Sequence, residues 1–133
     1  KYKTKDPYKI ARAMDIELQI GYMGHRLGCY MYLKRSKCIW LNEDLDPHEM
    51  EFVMAHELGH AIMHPYENCY FIKHKTLLLN SKREIEANKF AVEFLISDDE
   101  VQYAVERQYT IDMLSRLWGY EKELIELRLR GVK

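Results

Sequence analysis

The sequence predicts an α+β fold: a small three-stranded antiparallel sheet packed on one central helix, with further helices towards the C-terminus. Three observations predict it. Between Ile16 and Leu41, short runs rich in Ile, Leu, Tyr and Trp are punctuated by glycines and a basic turn, which is how short strands read. Between Pro47 and Pro65 the apolar and polar residues recur at helical spacing. From residue 82 to Arg130 they do so again, with no proline to interrupt them.

A chain of 133 residues suffices for one domain with a real core and is too short for two, so residues 1–133 are expected to form one unit. With 47% hydrophobic and 31% charged residues, the composition is that of a soluble globular protein. Twenty basic against 21 acidic residues give a formal charge of −1. A nucleic-acid surface normally shows a basic stripe, and none is present, so no direct nucleic-acid contact is expected. The opening Lys1-Tyr2-Lys3-Thr4-Lys5 reads as a solvated terminus. No apolar run reaches the roughly 18 residues of a membrane span, and no signal-peptide core follows the start. Cys29, Cys38 and Cys69 are odd in number and irregularly spaced, unlike a disulfide framework. Cys29 and Cys38 could face each other across a hairpin and form one bridge, but small buried thiols in a reducing cytoplasm are the simpler reading. The expected location is therefore cytoplasmic.

In chain order, Asp6 caps the first helix and Pro7 opens it, with Ile10, Ala13 and Met14 as its apolar stripe. Ile16, Leu18 and Ile20 alternate with Glu17 and Gln19, the pattern of a half-buried strand. Gly21, Gly24 and Gly28 break the next stretch into turns, with His25 in a loop and without an assigned role. Residues 29–33 and 38–41 read as two further strands joined by the turn Lys34-Arg35-Ser36-Lys37. After a polar loop, Asp46 caps the central helix, Pro47 opens it, and Glu49 stands where a capping-box glutamate belongs. Pro65 closes that helix. Residues 66–79 fit neither period and are expected to form a loop lying over the cleft. Ser81 caps a helix at 82–96, and scaffold helices are expected from residue 97 to near Gln108, from Thr110 to near Gly119, and from Glu121 to Arg130.

The central helix carries His56-Glu57-Leu58-Gly59-His60, an H-E-x-x-H sequence. Positions four apart lie on one helical face, one turn apart. Two imidazoles there can share one metal ion, and zinc suits them. Glu57 lies about 100° round the helix from His56, where it can take a proton from a water that zinc acidifies to a pKa of roughly 7. That is equipment for hydrolysing a peptide bond. Met54, Ala55, Leu58, Ala61 and Ile62 fall on the opposite face. The helix is thus expected to be buried behind and open to a cleft in front, a division that two incidental surface histidines would not produce. His64 lies about 12 Å along the axis from His56, too far for one zinc to reach all three rings at about 2.1 Å. His64 and His74 are given no metal role.

A catalytic zinc takes three protein ligands and leaves one place for water. The helix at 82–96 offers Glu84, Glu86 and Glu93, against an apolar arc of Ala87, Phe90, Ala91, Phe94 and Leu95. On the helical wheel Glu84 falls within that arc and Glu86 just outside it. A buried carboxylate needs a cation or a full set of hydrogen bonds, so Glu84 is the first choice and Glu86 the reserve.

The string His56-Glu57-Leu58-Gly59-His60-Ala61-Ile62-Met63-His64, followed by Glu84-Ile85-Glu86-Ala87-Asn88-Lys89-Phe90-Ala91-Val92-Glu93-Phe94-Leu95, resembles the ImmA/IrrE family of zincin metallopeptidases. The first half is shared by many zincins, while E-x-x-A-N-x-F-A-x-x-x-L at this separation is more specific. The resemblance implies a zincin-like α+β domain, a zinc ion held by His56, His60 and Glu84, and Glu57 as the general base. It also implies a protein partner. Such proteins are commonly encoded in phages and mobile elements, where they cleave or otherwise inactivate a helix-turn-helix repressor. Two departures stand out. The family often ends the second helix with a Leu-Met-Pro-like sequence, where this chain has Leu95-Ile96-Ser97, and many members carry a fused helix-turn-helix domain for which this chain has no room. The expected activity is zinc-dependent, site-specific endoproteolysis of a repressor. The competing expectation is a regulatory protein that grips a transcription factor without cutting it.

Overall fold

The computed structural model describes residues 6–72 and 82–130, with residues 69–72 described by their backbone alone. Asp6 caps α1 (Pro7–Ala13) as expected. Its carboxylate accepts from the Tyr8 N–H at 2.9 Å, and Pro7 sits where a helix has no use for an N–H. Asp15, at a φ of 59°, turns the chain into β1 (Glu17–Gly21), which is followed by β2 (Arg26–Leu33) and β3 (Ser36–Asn42). Gly28, read from the sequence as a turn residue, lies inside β2. The β2–β3 turn is tighter than expected. Leu33 pairs with Ser36, leaving Lys34 and Arg35 as a two-residue loop with φ of 50° and 65°, the geometry that matches the twist of a hairpin.

The α+β class and the packing of the sheet on the H-E-x-x-H helix hold, but the sheet differs from the expected antiparallel trio in two respects. It has four strands in the order β1-β3-β2-β4, and β1 pairs with β3 in parallel. Strands adjacent in sequence suggest a β1–β2 hairpin. Here the chain after β1 instead steps past the position of β3. Asn42 holds that step in place: it is buried, and its amide donates to the carbonyls of Gly24 at 3.1 Å and Arg26 at 2.8 Å. The fourth strand, β4 (Cys69–Ile72), pairs antiparallel with β2, within a stretch expected to be loop. Residues 73–81, with His74 and Ser81, lie outside the described residues.

The central helix, α2 (Pro47–Met63), packs on the sheet face that carries Gly28, Tyr30, Ile39 and Leu41. Phe52, Val53, Met54, Ala55, Leu58 and Ala61 are all buried in the same core. Each large apolar side chain so buried stabilises by about 1.5–3 kcal/mol. Ile62, expected on the buried face, is 42% exposed. Past the undescribed segment come α3 (Lys82–Leu95), α4 (Asp98–Glu106), α5 (Ile111–Trp118) and α6 (Lys122–Arg130). Ser97 forms a capping box with Glu100, Thr110 caps α5, and Gly119 ends it at a φ of 77°. Arg128 binds α6 to the α3–α4 junction: its Nε donates to the Ile96 carbonyl at 2.9 Å and its guanidinium pairs with Asp98 at 2.7 Å.

Lys34 and Arg35 occupy left-handed positions that favour asparagine and glycine. The double change Lys34→Asn with Arg35→Gly is expected to stabilise the chain by about 0.5–1 kcal/mol, read as a higher urea midpoint at unchanged slope.

Candidate metal centre

The N-terminal cap sets the rotation of α2 that the site uses. Asp46 Oδ1 accepts from the Glu49 N–H at 2.8 Å, and Glu49 Oε1 accepts from the Asp46 N–H at 3.2 Å, a reciprocal capping box. About three to four turns on from Asp46, His56, Glu57 and His60 emerge, all fully buried. The front of the helix is therefore not the open cleft expected from the sequence, because α3 lies against it. Gly59 is the reason α3 comes so close. A Cβ at Gly59 would stand 3.1–3.3 Å from atoms of Phe90, inside ordinary contact distance.

This approach brings Glu84 against both histidines. His56 Nε2 is 3.0 Å from Glu84 Oε1, and His60 Nε2 is 3.1 Å from Glu84 Oε2. One donor atom from each of the three residues falls within 4.8 Å of the others. Glu86, the reserve, points elsewhere: its Oε1 is 3.0 Å from His64 Nε2 and it is half-exposed. Glu93 is exposed on the far side of α3.

The surrounding hydrogen bonds fix which nitrogens face the cluster. Asn88 Oδ1 is 2.8 Å from His56 Nδ1, so this nitrogen carries the proton and donates it. Burial lowers the pKa of His56, and a neutral ring then presents its Nε2 lone pair to Glu84. A second chain acts on His60. The Glu86 carboxylate accepts from His64 Nε2, so a neutral His64 offers its Nδ1 lone pair, 3.1 Å from His60 Nδ1. His60 donates there and also turns an Nε2 lone pair towards Glu84. Burial raises the Glu84 pKa; only when His56 and His60 turn ring N–H groups to it do their hydrogen bonds and charge outweigh burial and hold the carboxyl at about 2. A carboxylate facing two lone pairs is repulsive by itself, and protonating the rings is opposed by the burial of His56. A divalent cation among the three atoms relieves both, and two imidazoles with one carboxylate are a donor set that suits zinc. The residues fit the metal.

Glu57 lies beside this cluster on the face turned to the sheet. A Cβ at Gly28 would stand 3.5 Å from Glu57 Oε2, 2.8 Å from Val53 Cγ1 and 2.9 Å from the Trp40 carbonyl oxygen. Only glycine in β2 lets the helix settle there. Neither Glu57 oxygen has a hydrogen-bond partner among the described residues. Burial, and then the nearby Glu84 charge, push its pKa well above the ordinary carboxylate value. A buried carboxyl with both oxygens unmatched among these residues costs stability.

Sequence reasoning singled out His56, Glu57, His60 and Glu84, and the fold brings all four together. It assigned no role to Asn88 or His64 and held Glu86 as the reserve ligand, whereas all three orient the histidines. The signals were there, since Asn88 lies four residues after Glu84 and His64 four after His60, so each shares a helical face with its neighbour. His25 lies in the β1–β2 turn, away from the cluster.

An H-E-x-x-H helix crossed by a second helix that supplies a glutamate defines a metallopeptidase-type site. The chain belongs to the Peptidase_M78 family, described as the IrrE N-terminal-like domain, which matches residues 11–130. It is 40% identical over 129 residues to the uncharacterized immunity region protein 2 of Bacillus phage phi105, covering 96% of this chain and 82% of that one. It is 28% identical over 124 residues to the metallopeptidase ImmA of Bacillus subtilis (strain 168), covering 92% of this chain and 67% of that one.

Two substitutions test how the histidines are held. Asn88→Ala removes the acceptor of His56 Nδ1–H and is expected to destabilise the metal-free protein by about 1–3 kcal/mol, measured by urea unfolding with chelator present. His64→Ala is expected to weaken divalent-metal binding roughly 10–100-fold, measured by competition with a coloured chelator, with little change in the far-ultraviolet circular dichroism.

Proposed function

We propose that the chain is a zinc-dependent endopeptidase that cuts a partner protein at one site, the partner being a helix-turn-helix repressor of a phage or mobile element. The observation that carries the proposal is the buried, unmatched Glu57 carboxyl beside the His56–His60–Glu84 cluster, in a chain of a peptidase family. The relatives, an immunity region protein and a metallopeptidase, support the partner class.

His56 Nε2, His60 Nε2 and a Glu84 oxygen would hold the metal. Zinc, when bound, supplies Lewis acidity that polarises a carbonyl and acidifies water. Glu57 receives the proton from the attacking water on one of its oxygens and delivers it to the departing amine. Asn88 keeps His56 in the tautomer that faces the cluster, and His64 with Glu86 does the same for His60. The sheet supplies the docking edge. Its outer strands are β1 and β4, and β4 pairs with β2, the strand that meets Glu57 at Gly28. An extended substrate adding to β4 through backbone hydrogen bonds lies nearer the cluster than one added to β1. We place the protein, as a single domain, in the cytoplasm, where the free thiols of Cys29 and Cys38 stay reduced. The strand register supports this: it sets Cys29 opposite Trp40 and Cys38 opposite Met31, not against each other. Among the described residues no helix is long and apolar enough to cross a membrane.

The full burial of His56, Glu57 and His60 favours a second reading, in which the chain grips the repressor and blocks it without cutting. The experiment that separates the two is incubation of a candidate repressor with the zinc-loaded chain and with Glu57→Gln, followed by intact-mass spectrometry. One cut by the unaltered chain is expected, with a rate roughly 10²–10⁴-fold lower for Glu57→Gln at unchanged zinc content. Cleavage retained by Glu57→Gln would overturn the mechanism, and a stable uncut complex with both forms would establish the second reading.

A further inference from the structure

We propose that the groove between α4 and α5 is a docking surface for a basic amphipathic helix of a partner protein. None of its residues belongs to the metal cluster, so the surface stands apart from the peptidase reading.

The local sequence builds the groove. Arg107 caps the end of α4, and Gln108, at a φ of 57°, turns the chain back. The Tyr109 N–H donates to the Ala104 carbonyl at 3.1 Å, and Thr110 then caps α5. This connection leaves a groove of ≈ 460 Å³, floored by Ala104 and Trp118 and walled by Tyr103, Tyr109 and Leu117. The helix α5 is apolar on two sides. Leu114 turns inward and is buried with Ala104 and Ile125. Met113 and Leu117 lie four residues apart, hence on one helical face, and are 47% and 62% exposed. Tyr103, on α4, is 51% exposed. Single exposed apolar residues are ordinary, but a cluster gathered round one groove marks an interaction site. The walls are set before any partner arrives. The Tyr103 and Tyr109 rings meet edge to face with centroids 6.3 Å apart, and the Arg107 guanidinium lies over the Tyr103 ring, 3.4 Å from its centroid. A wall already ordered loses little entropy on binding.

Shape and charge select the occupant. An apolar groove between helices receives an amphipathic helix, whose side chains at every third or fourth position fill it. Asp98, Asp99 and Glu100, all exposed, make the first turn of α4, and Asp99 and Glu100 line the groove. From Asp98 to Arg130, eight acidic residues outnumber five basic ones. Most of the bases are already engaged. Arg128 is buried against Asp98, Lys122 pairs with Asp112 at 2.6 Å with Arg116 close to the same carboxyl, and Arg107 rests on Tyr103. The surplus acid therefore stands at one end of the groove, where Lys or Arg on the occupant complements it. A second copy of this chain brings two net-negative faces together and fits less well.

The test titrates the isotope-labelled, zinc-loaded chain with stapled helical peptides of about 15 residues, carrying leucine at every third or fourth position. One peptide has lysine at the remaining positions and the other has glutamate. Amide signals of Tyr103, Tyr109, Met113 and Leu117 are expected to shift with the lysine peptide, and those of Leu33, exposed on the hairpin, to stay. The lysine peptide is expected to bind roughly 3–10-fold tighter than the glutamate one at low salt, and Asp99→Lys to remove that preference. Leu117→Ser, at an exposed position, is expected to weaken binding roughly 10-fold; the map of shifted signals stands without either variant. Shifts centred elsewhere, absence of binding, or binding that survives Leu117→Ser overturns the docking surface. Equal affinity for the two peptides overturns the basic partner. A dimer seen by sedimentation and dissolved by Leu117→Ser assigns the surface to a second copy and overturns the proposal likewise.

Discussion

The chemistry of this protein depends on how closely α3 lies across the front of α2. Gly59 presents no side chain where Phe90 rests, and helices in contact through small residues approach more closely than the usual 8–10 Å. At that separation Glu84 reaches between His56 and His60, and Asn88, one turn further along α3, reaches the back of His56. On the other side of α2, Gly28 allows β2 to come up against Val53 and Glu57. The central helix is thus clamped between a helix and a sheet, each admitted by a glycine, and His56, Glu57, His60 and Glu84 are held at these two contacts.

The polar cluster is not what keeps the chain folded. Grouping two imidazoles, two carboxyl groups and an amide in the interior carries a desolvation penalty that their mutual hydrogen bonds offset only in part. The surrounding apolar frame supplies the surplus. Met54 and Leu58 behind the histidines, Tyr30, Ile39 and Leu41 on the sheet, and Val92, Ile96 and Leu124 from the later helices form one continuous core. Tyr30 also anchors the end of α2, donating its hydroxyl to the Pro65 carbonyl at 2.6 Å. That frame holds the Glu57 carboxyl rigidly beside the cluster, and the family to which the chain belongs is one of peptidases.

Several expectations failed for one shared reason. The parallel pairing of β1 with β3, the place of Gly28 inside a strand and the covered front of α2 all arise from contacts between residues far apart in sequence. Asn42 shows how this happens: an ordinary polar loop residue to the eye, it is buried and bound to two carbonyls 16 and 18 residues away. No local period carries that information. The roles of His64 and Glu86 escaped notice likewise. His64 is too far along the helix from His56 to join the cluster, yet four residues from His60 is the right spacing to orient that ring.

What the sequence by itself determined was local and periodic. The caps at Asp6 and Asp46, the helix starts near Ser97 and Thr110, the extent of α2, the α+β class and the grouping of His56, Glu57, His60 and Glu84 were legible because capping residues and helical spacing are local signals. What only the tertiary structure decided was which faces meet and how closely. The strand order, the engagement of Glu86 by His64, and the ring nitrogens turned towards the cluster all depend on groups from different elements meeting within about 3 Å, the reach of one hydrogen bond. That distance is set by packing at Gly28 and Gly59, where an absent side chain matters more than any motif.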